Sequence, residues 1–325
     1  MNEQDVVTQL IENLSSPNLE TRMEAAKRLG ELRDDRAIEP LVRAALNYQG
    51  PFYEFEEIVD ALLQFPDAAV PVLIEALKTG NFGYQGYAAQ ILAYFKDDRA
   101  LSPLLDCLDE GIKDIMTFIT HALASYGEKA VRPLIERVQT HPNPFVRHMA
   151  MYTLSYISSP SVALFAEQQL NNSDNQSRAI IALGDPNTVV DMDQRLGLII
   201  PFLNSDNSKT RLSAIHALGK LGDERSVELL IEQLDLHPGF ATETTVIQAL
   251  GWIGSSKAVD TLTDFLNGPF QQLAVTALEE IGDKRAIPAL LSVRESSERS
   301  FRYQINGALK KLGYFPADYA DYIKD

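Results

Sequence analysis

One block of sequence recurs, with changes, along the whole chain. Its clearest copy is Arg22-Met23-Glu24-Ala25-Ala26-Lys27-Arg28-Leu29-Gly30-Glu31-Leu32. An echo is Arg211-Leu212-Ser213-Ala214-Ile215-His216-Ala217-Leu218-Gly219-Lys220-Leu221, and a third copy closes on Ala277-Leu278-Glu279-Glu280-Ile281. With the leucine ahead of the glycine as anchor, the series runs Leu29, Leu62, Leu92, Leu123, Leu154, Leu183, Leu218, Leu250, Leu278, Leu309. The intervals run from 28 to 35 residues with a mean near 31. A period of this size marks a stack of supersecondary units. It replaces the two globular domains that 325 residues would otherwise suggest.

Around each anchor, apolar residues fall at −8, −4, −3, 0 and +3, which is one face of a helix with a 3.6-residue period. Position +1 is small in most copies (Gly30, Ala93, Ala124, Ser155, Gly219, Gly251), as close approach of a neighbouring helix requires. A second amphipathic segment precedes each anchor helix, Asp5–Leu14 in the first copy. Pro40, Pro71, Pro103, Pro133 and Pro288 suit its first turn, where a backbone N–H has no partner. Each unit therefore reads as helix A, turn, helix B. Ten pairs cover about residues 3–312, with a short capping helix over 314–322 behind Pro316. A single pair cannot bury both apolar faces, so neighbours must stack into one core.

The run Ala-Leu-Gly-x-Leu/Ile-Gly-Asp-x-Arg-Ala/Ser-Ile/Val, as in Ala217–Val227 and Ala277–Ile287, resembles the HEAT repeat, in the short form named after phycobilisome lyases. That resemblance implies an all-α, right-handed α-solenoid of about ten HEAT-like helix pairs, with B helices on the concave face. The sixth and seventh units depart from the pattern. Helix B of the sixth is clipped at Gly184-Asp185-Pro186, and 187–194 is inserted before the next helix A. A joint is expected at 185–194, dividing the chain into 1–185 and 186–325.

The formal charge is −16, and it is uneven: −11 over 1–110, +1 over 111–220 and −6 over 221–325. Such a field repels phosphate backbones and anionic membranes, so neither nucleic acid nor membrane is an expected partner. Cys107 is the only cysteine, which excludes an internal disulfide and fits a reducing compartment. The N-terminal residues show no secretory signal, and no apolar run reaches the roughly 18 residues of a membrane span, so a cytoplasmic address is expected.

In the helix B register, positions −5, −2 and +2 point away from the core and into the expected groove. The first two units place acids there or beside it: Glu24, Glu31, Glu54, Glu56, Glu57 and Asp60. The third to fifth place Tyr87, Tyr94, Phe118, His121, Met149, Tyr152 and Tyr156 there, and the eighth places Trp252. Aromatic side chains at positions where polar ones would suffice suggest an interface. A register shifted by one residue would instead make the rings core, and Trp252 reads equally as an anchor or as packing between repeats.

No catalytic constellation emerges. The histidines lie in different units without metal-ligand spacing, so no metal is expected. HEAT-like deoxyhypusine hydroxylases carry repeated His-Glu motifs and HEAT-like DNA glycosylases a basic groove; this chain has neither. Cys107, in Leu104–Leu108, reads as core rather than nucleophile. Recurrent Arg22, Arg147, Arg211 and Arg302, and the turn pairs Asp35-Arg36, Asp98-Arg99 and Glu224-Arg225, read as a ladder of inter-repeat ion pairs and helix contacts. The chain thus reads as a non-catalytic scaffold or adaptor without a cofactor. It would hold a protein segment of basic or mixed basic and apolar character. The alternative implied by the resemblance is a phycobilin lyase subunit or bilin-handling chaperone.

Overall fold

The computed structural model describes residues 3–188 and 190–315. These form twenty α-helices and no strand. The first five A/B pairs are α1 (Glu3–Asn13) with α2 (Leu19–Leu32), α3 (Ile38–Leu46) with α4 (Phe52–Leu62), α5 (Pro66–Thr79) with α6 (Phe82–Phe95), α7 (Asp98–Glu110) with α8 (Met116–Ser125), and α9 (Glu128–Thr140) with α10 (Pro144–Leu154). The second five are α11 (Pro160–Gln169) with α12 (Gln176–Leu183), α13 (Met192–Ile199) with α14 (Ser208–Leu221), α15 (Val227–Leu236) with α16 (Phe240–Ile253), α17 (Val259–Asp264) with α18 (Gln271–Ile281), and α19 (Ile287–Ser296) with α20 (Arg299–Lys311). The expected capping helix falls on residues that, from 316 on, lie outside those described.

All ten anchor leucines sit in B helices and are at most 1% exposed, so the repeat register holds in every unit. Each B helix buries the anchor with its −4 and −3 neighbours, as α2 does with Ala25, Ala26 and Leu29. Glycine at +1 then seats on alanine at −1 of the next B helix. A Cβ on Gly30 would lie 2.9 Å from the Ala61 Cα, and one on Gly219 would lie 2.6 Å from the Ala249 Cα.

The prolines are less regular than expected. Pro71, Pro103 and Pro133 lie inside α5, α7 and α9, which start about one turn earlier. The earlier start of α7 is fixed by Asp97, whose carboxylate accepts the Arg99 N–H as an N-cap.

Chain contacts divide the protein into two compact units, 1–157 and 158–325, of five pairs each. The division falls one repeat ahead of the boundary expected at 185. Around 185–194 the B helices stack without interruption: α12 packs on α14, and a Cβ on Gly184 would lie 2.6 Å from the Ala217 Cα. The inserted segment is also tied down. Arg195 is 3% exposed and donates to the Asp185 carbonyl at 2.6 Å.

The recurrent arginines do two jobs, and Arg22 combines both kinds of contact, because it also forms an inter-repeat ion pair with Glu54. Those seven residues before the anchor clamp their own A–B loop. Arg22 donates to the Ser16 carbonyl at 2.8 Å, Arg147 to His141 at 2.9 Å, Arg211 to Ser205 at 2.6 Å and Arg302 to Ser297 at 2.9 Å. The turn arginines pair with the aspartate two residues earlier, at 2.6–2.9 Å in Asp34–Arg36, Asp97–Arg99, Asp223–Arg225 and Asp283–Arg285. From there they reach the previous repeat: Arg225 meets Asp193 at 2.6 Å, and Arg285 donates to the Ser256 carbonyl.

These arginines hold the four aspartates below the usual carboxylate range, Asp34 at about 2. A carboxyl that titrates lower in the folded state stabilises the fold above its unfolded value, near pH 3.9, and loses that stabilisation as pH falls through the folded value. The melting temperature is therefore expected to stay level from pH 7 to 5 and fall between pH 4 and 2. Replacing all four aspartates with asparagine is expected to lower it at pH 7 and flatten the acid limb. A quadruple variant that melts in parallel with the parent from pH 5 to 2 would refute this assignment.

Gly222, Gly254 and Gly282 close their B helices in the left-handed region, at φ of 71°, 70° and 73°. Lys96 adopts the same conformation at φ 50° after α6, where a Cβ is unfavourable. Lys96→Gly is expected to raise unfolding free energy by about 1 kcal/mol, measured by denaturant titration.

Candidate functional site

The outward positions of the B helices differ from the anchor positions in their exposure. In the first unit, Tyr94 is 43% exposed, Phe118 38% and Tyr156, in the turn after α10, 55%, while Leu92, Leu123 and Leu154 are fully buried. This combination excludes the one-residue shift that would put the rings in the core. His121 is exposed, and Tyr87, Met149 and Tyr152 are half-buried.

The rings are joined across repeats. Tyr48 meets Phe55 at 5.4 Å between centroids, Phe55 meets Tyr87 at 5.8 Å, and Tyr87 meets Phe118 at 6.4 Å. Further on, His121 meets Tyr156 edge-on at 6.2 Å, and Tyr156 meets Tyr152 at 4.9 Å with their hydroxyls 3.1 Å apart. Gly86 makes the junction possible, because a Cβ there would lie 2.8 Å from the Phe118 ring. Two members, Tyr48 and Phe55, were missed from sequence. Phe55 stands at −7, off the outward rows, and Tyr48 lies in the loop before α4. Tyr87 binds this loop by donating its hydroxyl to the Tyr48 carbonyl at 3.2 Å.

The acids beside this row behave in two ways. Glu24, Glu31, Glu56 and Asp60 are exposed and Glu57 half-buried, on the B helices of the first two repeats. Glu54 is different and does not belong to a solvent-facing patch. It is 3% exposed and accepts both Nε and an Nη of Arg22, at 2.5 and 2.9 Å. The reason is its register, since −8 is a core-facing position. The pair raises the Arg22 pKa, and burial, together with the Glu54 charge, pushes the Tyr48 phenol up to about 12. Above it opens a cavity of about 650 Å³ between α1 and α3, walled by Ile11, Leu14, Arg43 and Asn47.

In the second unit, Trp252 is half-buried against the preceding B helix. The His216 ring meets it edge-on at 5.0 Å, and Lys220 Nζ stands 4.0 Å over its face. Gly219 leaves room for it, because a Cβ there would lie 3.2 Å from the indole. Trp252 thus packs between repeats while keeping one side open. Burial, and then the Lys220 charge, lower the His216 pKa below its usual 6.5.

Cys107 is buried in α7 with Sγ 4.0 Å from the Leu77 carbonyl. Burial, with Glu110 and Asp106, pushes its thiol up to about 11, which leaves almost no thiolate at neutral pH. Among the described residues, no three His, Cys, Asp or Glu converge as metal ligands, and no helix is long and apolar enough to cross a membrane.

Stacked helix pairs with buried B-helix anchors and an outward row of side chains define an α-solenoid of helical repeats. The chain carries HEAT repeats: the HEAT repeat model matches residues 196–272, and the phycobilisome lyase HEAT-like repeat model matches 21–47, 85–110 and 271–295. A comparison with curated protein sequences finds no match. Among solved structures, Kap121p is similar with a TM-score of 0.57 at 13% identity, over 95% of this chain and 45% of that one. Kap121p bound to Pho4p (TM-score 0.56, 13% identity, 96% and 46% covered) and to Nup53p (0.56, 14%, 96% and 45%) is similar as well. The likeness is one of fold, and this chain spans less than half the length of Kap121p.

Proposed function

We propose that this protein is a non-catalytic interaction scaffold that holds a partner segment along the B-helix face of repeats 2–5. The observation that supports this reading best is the exposed rings of Tyr94, Phe118 and Tyr156 beside fully buried anchor leucines, with Tyr87 against Phe118 and the His121–Tyr156–Tyr152 group beyond; Phe55, which links Tyr87 to Tyr48, is itself core. Rings such as Tyr94 and Tyr156 add nothing to that core, and they supply rigid contact area at a small entropy cost. Glu24, Glu31, Glu56, Glu57 and Asp60 give the adjoining face a negative potential, which favours and steers a basic or mixed basic and apolar segment. Kap121p, a solenoid of similar fold solved with Pho4p and with Nup53p, is in keeping with a protein partner. A cytoplasmic setting accords with the single, buried thiol.

The test is capture of partners by the tagged chain, compared with a Tyr94→Ala, Tyr152→Ala, Tyr156→Ala variant. The variant is expected to lose partners that the parent retains, and parental binding is expected to weaken as salt rises. Full retention of every partner by a folded variant overturns the reading.

A further inference from the structure

Away from the aromatic row, the B-helix face of repeats 7 and 8 has the opposite polarity from that of repeats 1 and 2. The outward positions of α14 are Ser213, His216 and Lys220, and those of α16 are Thr245, Gln248 and Trp252, with no carboxylate among them. Lys209 stands one turn before Ser213. A shallow pocket of about 390 Å³ opens here, lined by Ile181, Lys209, Leu212, Ser213, His216 and Thr245.

Three features make this face suited to an anion. Neither Lys209 nor Lys220 has a carboxylate within 4 Å among the described residues, whereas Lys129, Lys257 and Lys311 are each paired across repeats at 2.5–2.7 Å. Lys220 is held in place over Trp252 at 4.0 Å, so its ammonium is positioned with donors still free. The carboxylates nearest in the repeat register belong to the flanking repeats: Asp185 of repeat 6 accepts from the Thr188 hydroxyl at 2.8 Å, and Glu280 of repeat 9 reaches Gly251. At physiological ionic strength the screening length is about 8 Å, so these local charges, not the net −16, set the potential a bound group meets.

The remaining lining dictates the rest of the ligand. Ile181 and Leu212 present apolar surface in the pocket beside Lys209, and the half-buried Trp252 ring lies under Lys220 beyond it. The Ser213 and Thr245 hydroxyls donate to their own helix, to the Lys209 carbonyl at 2.9 Å and the Ala241 carbonyl at 2.7 Å. Ser213 is itself buried and both hydroxyl protons are committed, so the donors to an anion are the two ammonium groups and the His216 ring. A widely spaced pair of point charges around an apolar floor suits separate carboxylates on one strand better than a compact phosphate, which is bound best by a convergent fork of donors. We infer that this face of the second unit binds an acidic peptide segment, its glutamate or aspartate side chains reaching Lys209 and Lys220 and an apolar side chain lying on Leu212 and Trp252. The site is independent of the aromatic row and stands or falls separately from it.

Trp252 is the only tryptophan in the chain, so the site carries its own reporter. The full chain would be titrated with a synthetic peptide of alternating glutamate and leucine while the indole emission is followed. Parallel titrations would use the lysine–leucine counterpart, a phosphoserine–leucine peptide and a single-stranded oligonucleotide. A saturable change with the glutamate peptide is expected. It should weaken about fivefold in Lys209→Gln and in Lys220→Gln, and beyond detection when both are replaced with glutamate. Both lysines are exposed, and far-ultraviolet circular dichroism would check that these variants fold. The proposal is overturned by the absence of saturation in the parent, by tighter binding of the phosphoserine peptide or the oligonucleotide, or by binding that the double reversal leaves unchanged.

Discussion

Leu123→Ala is expected to lower unfolding free energy by about 3 kcal/mol, within the 2–5 kcal/mol range for truncating a fully buried leucine. Leu123 is 0% exposed, and α8 packs against α6, α7 and α10, so the cavity has little room to collapse. Stability in a stacked array is approximately a sum of repeat and nearest-neighbour terms, so the loss should be local. Denaturant titration should show an earlier midpoint for the first unit. Amide exchange should quicken most in α6, α8 and α10, and much less in α16, α18 and α20. Equal acceleration in all six helices would mean that the chain unfolds as one globular body and that the repeat description is wrong.

Glu54→Ala should have an effect of similar size for a different reason. It leaves the Arg22 guanidinium, only 25% exposed, with the Ser16 carbonyl as its sole remaining acceptor. Removing one partner of a buried pair costs about 3–5 kcal/mol, because the other charge stays desolvated and unpaired. Replacing both residues with apolar ones of similar volume, Arg22→Met with Glu54→Met, is expected to recover most of that loss. A double variant as unstable as the sum of its single variants would show that the two side chains act independently. Because Tyr48 lies against this pair and begins the aromatic row, Glu54→Ala should also loosen the row at its first member.

The helix pairs were legible in the sequence because the pattern that encodes them is local. Leu29 through Leu309 repeat at a helical face, and each face has one way to be buried. The outward rows follow from the same register, which is why Tyr94, Phe118 and Tyr156 are exposed while the anchor leucines are buried. Glu54 was legible too, since −8 is a core position, but its charge obscured its register. Other features depend on contacts that no local pattern carries. The division after Ile157 reflects which helices pack on which, and the short α12 and the insertion before α13 pointed instead to residue 185. Phe55 and Tyr48 join the row only through Tyr87, more than 30 residues away. Arg22, Arg147, Arg211 and Arg302 recur at one register and all turn back to their own loop, but recurrence does not reveal that Arg22 also crosses to Glu54 of the next repeat.

A glycine that seats on an alanine of the next B helix makes several of the joints in this chain equivalent. Gly184 meets Ala217, Gly219 meets Ala249 and Gly251 meets Ala277 through the same pair of residue types. Cutting between two such glycines and rejoining would present an unchanged surface on both sides. A sequence of this kind can be shortened or lengthened by whole repeats, and so can change the reach of its binding face without a new core having to be invented.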